Sequence, residues 1–167
     1  METKVLNEAE KKCLLDAVRR EIGSAPGRKV LEFGSGSYSL AAELRNELEY
    51  LACTDKSAAG LEAIRTIAES MDIHLIPDGE MSEDCYFGRF HLVYTLFGFH
   101  GLPHLVDEIM RLRRLILKGG KMVVIGFPEN NFADECIKQL RRCGFTSIRT
   151  EAADPERGRF FLIAAEK

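Results

Sequence analysis

The sequence predicts an α/β fold: a mostly parallel sheet with helices on both faces and one reversed strand near its end. Short apolar runs without polar alternation recur along the chain, as in strands buried on both faces. Stripes of helical period separate them, which is the texture of successive β–α–β units. The last two runs are joined only by the polar loop DPERG. A loop that short cannot carry a helical crossover, so that final pair must be antiparallel.

The elements follow in order. Residues 5–22 place Leu6, Ala9, Cys13, Leu14, Ala17, Val18 and Ile22 on one helical stripe, and Gly23, Ser24, Pro26 and Gly27 end it. KVLEF (29–33) is the first strand. Leu40, Ala41, Leu44 and Leu48 make the next stripe, and YLACT (50–54) the second strand. Ala58, Leu61, Ile64, Ala68 and Met71 form a helix before the third strand, IHLI (73–76). FHLVYTLF (90–97) is the fourth. A helix with Leu105, Ile109, Leu112 and Ile116 follows, with Pro103 near its start and Gly119-Gly120 past its end. KMVVIGF (121–127) is the fifth strand. Residues 132–143 form a helix that Gly144 stops. FTSIRTEA and GRFFLIAAE complete seven strands.

The chain of 167 residues suffices for one domain with one substantial core. A net charge of −3 argues against broad electrostatic capture of nucleic acid. No apolar run approaches the roughly 20 residues of a membrane helix, and the charged METKVLNEAEKKC lacks a signal-peptide core. The expectation is a cytoplasmic protein without a membrane partner. Its five scattered cysteines read as reduced thiols, and neither they nor the four histidines fall at zinc-ligand spacing.

The candidate site lies after the first strand, in VLEFGSGSYSLAAEL. In an open α/β sheet, ligands sit at the carboxyl ends of the strands. Gly34 and Gly36 let the backbone turn there and approach a ligand closely. Asp55 ends the second strand about 20 residues on, placed to accept hydrogen bonds from ribose hydroxyls. As an alternative Asp55 caps the next helix, unless Ser57 does so. Glu32 argues against a dinucleotide, because a carboxylate just before the glycines repels a pyrophosphate. Tyr38 or Ser39 also fills the place of a third glycine. The site suits a ligand carrying positive charge, an ammonium or a sulfonium.

ExGxG after the first strand resembles motif I of the class I S-adenosylmethionine-dependent methyltransferases. FHLVYTLFGFHGLPHLVDEIMRLRRLILKGGKMVVIGF is similar to the fourth-to-fifth-strand block of the small-molecule enzymes of that class, matching at Phe90-His91-Leu92-Val93, at Phe99 to Leu102 and at Arg114 to Gly120. The resemblance covers most of the chain. It implies a three-layer Rossmann-like methyltransferase fold with a seven-stranded sheet, and S-adenosyl-L-methionine as cofactor. It implies that Phe33, Gly34, Ser35 and Gly36 lie under the methionine part, with Glu32 orienting it and Tyr38 beside it. Asp55 would hold the ribose, and Lys56 would lie beside the adenine. Asp78, with the Gly79 and Glu80 backbone, would meet the adenine amino group, although P-D-G is also an ordinary turn. Thr95 would face the methionine side. His91 and Tyr38 depart from the family pattern, and Lys56 stands where an apolar residue is usual.

Methyl transfer is an in-line displacement that needs mainly positioning and exclusion of water. A base is needed only where the nucleophile carries a proton. His100 is the candidate base, with a structural histidine as the alternative. No Asn/Asp-Pro-Pro-aromatic motif follows the fourth strand, which disfavours the amino-group methylation that uses it. No insertion provides a substrate lid. Cover must come from the N-terminal helix (1–22), from residues 79–88 or from a second subunit closing an open cleft; otherwise the acceptor is bulky. The sequence therefore predicts methyl transfer to an unidentified acceptor, most simply a small molecule. Two competing readings are a methyltransferase-like binding or partner module without catalysis and a small nucleotide-binding oxidoreductase.

Overall fold

The structure is a computed structural model that describes residues 6–36, 38–129, 131–153 and 158–167. Most of the expected DPERG loop and the first five residues lie outside the described residues. Strands β1 (Lys29–Phe33), β2 (Tyr50–Thr54), β3 (His74–Leu75), β4 (Phe90–Leu96), β5 (Ile116–Gly126), β6 (Thr146–Ala152) and β7 (Phe161–Glu166) form one sheet. Their order is β3-β2-β1-β4-β5-β7-β6. β1 to β5 are parallel, and β7 runs antiparallel to both its neighbours, β5 and β6. β7 is therefore the one reversed strand that the short loop required.

The helices are α1 (Glu8–Ile22), α2 (Ala41–Leu44), α3 (Ala58–Met71), α4 (Leu105–Leu115) and α5 (Phe132–Arg142). Leu14 and Val18 of α1, Leu44 of α2 and Ile64 of α3 pack on one face of the sheet. Ile109 and Leu112 of α4, with Cys136 and Leu140 of α5, pack on the other. The three layers follow from the alternation of side chains across each strand. In β1, Val30 enters the first core and Leu31 and Phe33 the second. Among the described residues no helix is long and apolar enough to cross a membrane.

Three local outcomes differ from expectation. α1 starts at an Asn7 cap: Glu10 N–H donates to Asn7 Oδ1 at 2.9 Å, and Asn7 N–H donates back to Glu10 at 3.0 Å. This capping box stabilises the first turn. The stripe 40–48 yields only α2 and a 3₁₀ turn, Arg45–Glu47, because the chain must reverse into β2 at Tyr50. β5 begins directly after α4, so Gly119-Gly120 lies within the strand rather than in a turn before it. The β4–β5 register shifts there, between Phe90↔Ile116 and Leu92↔Lys121. Gly119 has φ +77°, and a Cβ on Gly120 would lie 2.6 Å from Ile116 Cγ2 and 2.9 Å from the His91 carbonyl. Both glycines serve this bulge.

α1 buries two carboxylates along with its apolar stripe. Glu10 pairs with Arg159 and Glu21 with Arg149, tying the helix to the C-terminal hairpin. α1 packs against β4 and β5, and none of its described residues lines the cleft described below. That is the packing of a core helix, where a mobile lid over the cleft had been one source of cover expected from the sequence.

The Gly120→Ala variant is expected to lose about 1–3 kcal/mol of stability, since the neighbouring carbonyl cannot retreat without breaking the ladder. Urea denaturation measures this, and an unchanged midpoint would show that the bulge is not close-packed.

Candidate functional site

The β1–β4 boundary is where successive crossovers turn in opposite directions, which opens a crevice at the carboxyl ends of the strands. A cleft of about 900 Å³ lies there. Gly34, Gly36, Asp55, Lys56, Phe97, His100 and Phe127 are among its lining residues.

Glu32 sits beneath this cleft and is absent from its lining. Register explains its partners. Glu32 pairs with Cys53 in β2 and with Tyr94 in β4, so three side chains on one face of adjacent strands meet. Glu32 is 1% exposed. Its Oε2 accepts from Leu40 N–H at 2.9 Å and from the Tyr94 hydroxyl. The Cys53 thiol approaches Oε1 at 4.0 Å. Burial, the largest effect, raises the Glu32 carboxyl above its ordinary value, and the hydrogen bonds partly counter it. Burial and the neighbouring Glu32 push the Cys53 thiol and the Tyr94 hydroxyl well up, so both stay neutral. Glu32 therefore fastens the start of α2 to the centre of the sheet.

The loop is also tied sideways. Gly34 and Ser35 N–H groups both donate to the Thr54 carbonyl, at 2.9 and 3.3 Å. Gly36 N–H donates to Asp55 Oδ2 at 3.1 Å. Ser35 is fully buried, and its hydroxyl donates to the Glu32 carbonyl. Gly34 has φ +77°, and a Cβ there would lie 2.9 Å from Gly98 Cα. Three consecutive loop amides thus serve the end of β2. A pyrophosphate would need those same donors.

Asp55 lines the cleft with its carboxylate already in use. Oδ1 accepts from both the backbone and the hydroxyl of Ser57, at 2.8 and 2.9 Å. Ser57 caps α3 by accepting from Gly60 N–H at 2.9 Å. The cap therefore falls to Ser57, but Asp55 is anchored by it rather than released. An ionised carboxylate has about four acceptor positions, of which three are filled here.

Lys56 lines the cleft, and its ammonium pairs with the buried Glu108 of α4. Arg111 joins Glu108 to Asp78, also reaching the Asp78 carbonyl at 3.1 Å. Asp78, Gly79 and Glu80 form a 3₁₀ turn after β3 and do not line the cleft. Thr95 is 2% exposed, and its Oγ1 accepts from Gly98 N–H at 3.1 Å. It shapes the turn after β4 from below.

His100 lines the cleft, with Nε2 accepting from Phe127 N–H at 3.2 Å and its ring stacked on Phe132 at 4.1 Å. Burial lowers its pKa, Glu129 opposing, and keeps the ring neutral. The lone pair a base would use is engaged. His91, at the opposite end of β4, accepts from Lys29 N–H at 3.1 Å.

The structure adds residues that the sequence motifs passed over. Phe97 and Phe127 directly follow β4 and β5 and stack at 4.4 Å, with planes 15° apart. Tyr38 meets Phe97 edge-on at 5.2 Å. Position just beyond a strand's carboxyl end was the available signal. Glu108 carried none, because its role depends on tertiary contacts with Lys56 and Arg111.

No family model matches the chain, and no curated protein matches it in sequence. Solved structures do. A SAM-dependent methyltransferase from Aquifex aeolicus superposes with a TM-score of 0.76 at 14% identity, over 97% of this chain and 99% of that one. An S-adenosylmethionine-dependent methyltransferase from Mesorhizobium loti gives 0.71 at 15%, over 93% and 98%. This is the class I methyltransferase fold. The [4+2]-cyclase SpnF also shares it, with a TM-score of 0.78 at 12% identity over 100% of this chain and 85% of that one. The fold by itself therefore does not specify the chemistry.

Glu32 supplies a pH test. Its folded-state pKa lies above its unfolded value, so the native state holds the extra proton. Stability must then fall as pH rises above the ordinary carboxyl value of 4.5. In Glu32→Gln this dependence is expected to vanish while the amide keeps both hydrogen-bond partners. Thermal midpoints of both proteins across a pH series measure it, and parallel curves would contradict it.

Proposed function

We propose that the chain is an S-adenosylmethionine-dependent methyltransferase acting on a small-molecule acceptor. The observation that carries this is the use of the Gly34, Ser35 and Gly36 amides by the end of β2, beside an acid at the cleft wall. A dinucleotide's pyrophosphate finds no donors in that part of the loop, whereas a nucleoside without phosphates needs none. The methyltransferases that share the fold support the same reading.

The residues present fit such a cofactor. The cleft is of the size that ligand sites take. Asp55 retains acceptor capacity for a ribose hydroxyl. Gly34 and Gly36 bring backbone against the cleft floor with no side chain between. Lys56 would border the adenine through its stem, with its charge turned to Glu108. Phe33 and Gly98 would enclose the methionine side, with Tyr38 and Phe97 bordering the rest of the cleft. Asp78 would act through Arg111 rather than by touching the base, and Gly79 and Glu80 lie outside the cleft lining. When bound, the cofactor supplies an electrophilic methyl group on a sulfonium.

The chain's own contribution is positioning and dryness. Phe33, Leu96, Phe97 and Phe127 present apolar surface that excludes competing water. His100 holds the Phe127 backbone at the end of β5 and so positions that wall. With its lone pair engaged, the favoured acceptor brings a nucleophile that needs no strong base. A second reading, ligand binding without transfer, is favoured by the same His100 geometry.

Calorimetry with S-adenosylhomocysteine tests the proposal. Binding is expected, weakened about 10- to 100-fold in Asp55→Ala, in line with hydrogen bonds to a charged group. Gly34→Val is expected to abolish it, and NAD to bind undetectably. Folded protein that binds neither S-adenosylhomocysteine nor S-adenosylmethionine would overturn the proposal. Binding without turnover across an acceptor panel would favour the second reading.

A further inference from the structure

Phe97 has φ +62°. A bulky side chain in the left-handed region is a genuine outlier, and such strain concentrates where a site fixes it. Here its effect is visible. The next residue, Gly98, donates to Thr95 Oγ1, and a Cβ on it would lie 2.4 Å from that oxygen. The chain therefore turns sharply at Phe97, and the ring is held against Phe127 and Tyr38 at the cleft wall. Phe160, 1% exposed, packs behind both phenylalanines at 5.8 and 5.5 Å.

The cleft is thereby divided. Asp55, Lys56 and Ser57 gather at the β2 side. The β4–β5 side is walled by Phe97, Phe127 and Tyr38, with Leu102 beside them. Beneath that wall Thr95 is spent on Gly98 and His100 on Phe127, and the acidic Glu129 lines the same side. An anionic ligand placed there would lose its hydration and meet Glu129 rather than a cation. Phe97 and Phe127 turn one face to each other, Tyr38 stands edge-on to Phe97, and Phe127 is only 7% exposed. Phe97 and Tyr38 are therefore the more open rings of an aromatic wall, and aromatic rings favour offset-stacked or edge-to-face partners.

We propose that the β4–β5 half of the cleft binds the acceptor as an aromatic ring without negative charge against Phe97, Phe127 and Tyr38. This rests on the methyltransferase reading for the word acceptor, but the subsite stands on its own geometry. An aliphatic chain fits the same volume and gains only from burial. A ring gains from burial and from ring–ring geometry.

The test titrates the full chain with 2-naphthol and with decahydro-2-naphthol, which has the same carbon skeleton without aromaticity. Each is run with and without saturating S-adenosylhomocysteine. 2-Naphthol is expected to bind about five- to tenfold more tightly than its saturated counterpart. Phe127→Leu and Tyr38→Ala are each expected to reduce that preference severalfold, while S-adenosylhomocysteine affinity in Phe127→Leu changes less than about twofold. Tyr38 is only half-buried, so its variant keeps the test open where a phenylalanine variant misfolds. Equal affinity for the two probes, or no binding of 2-naphthol, overturns the proposal while leaving cofactor binding intact. A ring preference that depends on Phe127, in protein that does not bind S-adenosylhomocysteine, upholds the subsite and overturns the methyltransferase reading instead.

Discussion

Glu32 is a carboxyl group only 1% exposed, and the geometry of the loop above it follows from how it is satisfied. A buried carboxyl group is tolerated only where hydrogen bonds replace hydration. At Glu32 the replacements include the Leu40 amide and the Ser39 side chain at the far end of the glycine loop and the Tyr94 hydroxyl in the neighbouring strand. The loop therefore leaves β1 and re-enters structure at two points fixed by a single side chain. Breaking one of those bonds would leave a buried group unpaired, which costs more than the bond itself contributes. The position of Gly34 and Gly36 is set from underneath.

The register of the sheet makes this arrangement available. Glu32, Cys53 and Tyr94 occupy matching positions in β1, β2 and β4. A slip of one residue in either neighbour would turn its side chain to the opposite face and strand the carboxylate. The polar cluster thus favours one pairing of otherwise interchangeable apolar strands. Hydrophobic burial drives the strands together; the cluster specifies how they align.

Much of this was legible in the sequence, and the parts that were not share a cause. β1 and β2 fall on the residues their apolar runs define, and α3 on its stripe, because local period and caps decide them. The reversal of β7 was legible because a short loop excludes a crossover. The bulge at Gly119-Gly120 was not, since a glycine pair reads the same in a turn and in a distorted strand. Glu32 was legible as an acid at a telling position. Its direction was not: the charge argument aimed it at a ligand, whereas it points into the sheet, and the loop is closed to pyrophosphate by its own amides. His100 and Asp55 line the cleft, but their engaged atoms depend on Phe127 and Gly36, which no spacing rule connects to them.

Asp55 links the two halves of the site. Its carboxylate holds Gly36 of the glycine loop and Ser57 at the start of α3 at once. A ligand with two adjacent hydroxyls asks for two acceptor positions, and one remains open. Gly36 or Ser57 must then share its oxygen or release it. Ser57 N–H and the Ser57 hydroxyl both converge on Oδ1, while among the described residues Gly36 N–H alone donates to Oδ2. The bond to Gly36 is the more easily exchanged, because only one donor loses its partner. Occupation of Asp55 would then be felt first at Gly36, two residues from Tyr38, whose ring meets Phe97 at the aromatic wall. The carboxylate proposed to receive one end of a ligand thereby sits next to the segment that shapes the other half of the cleft.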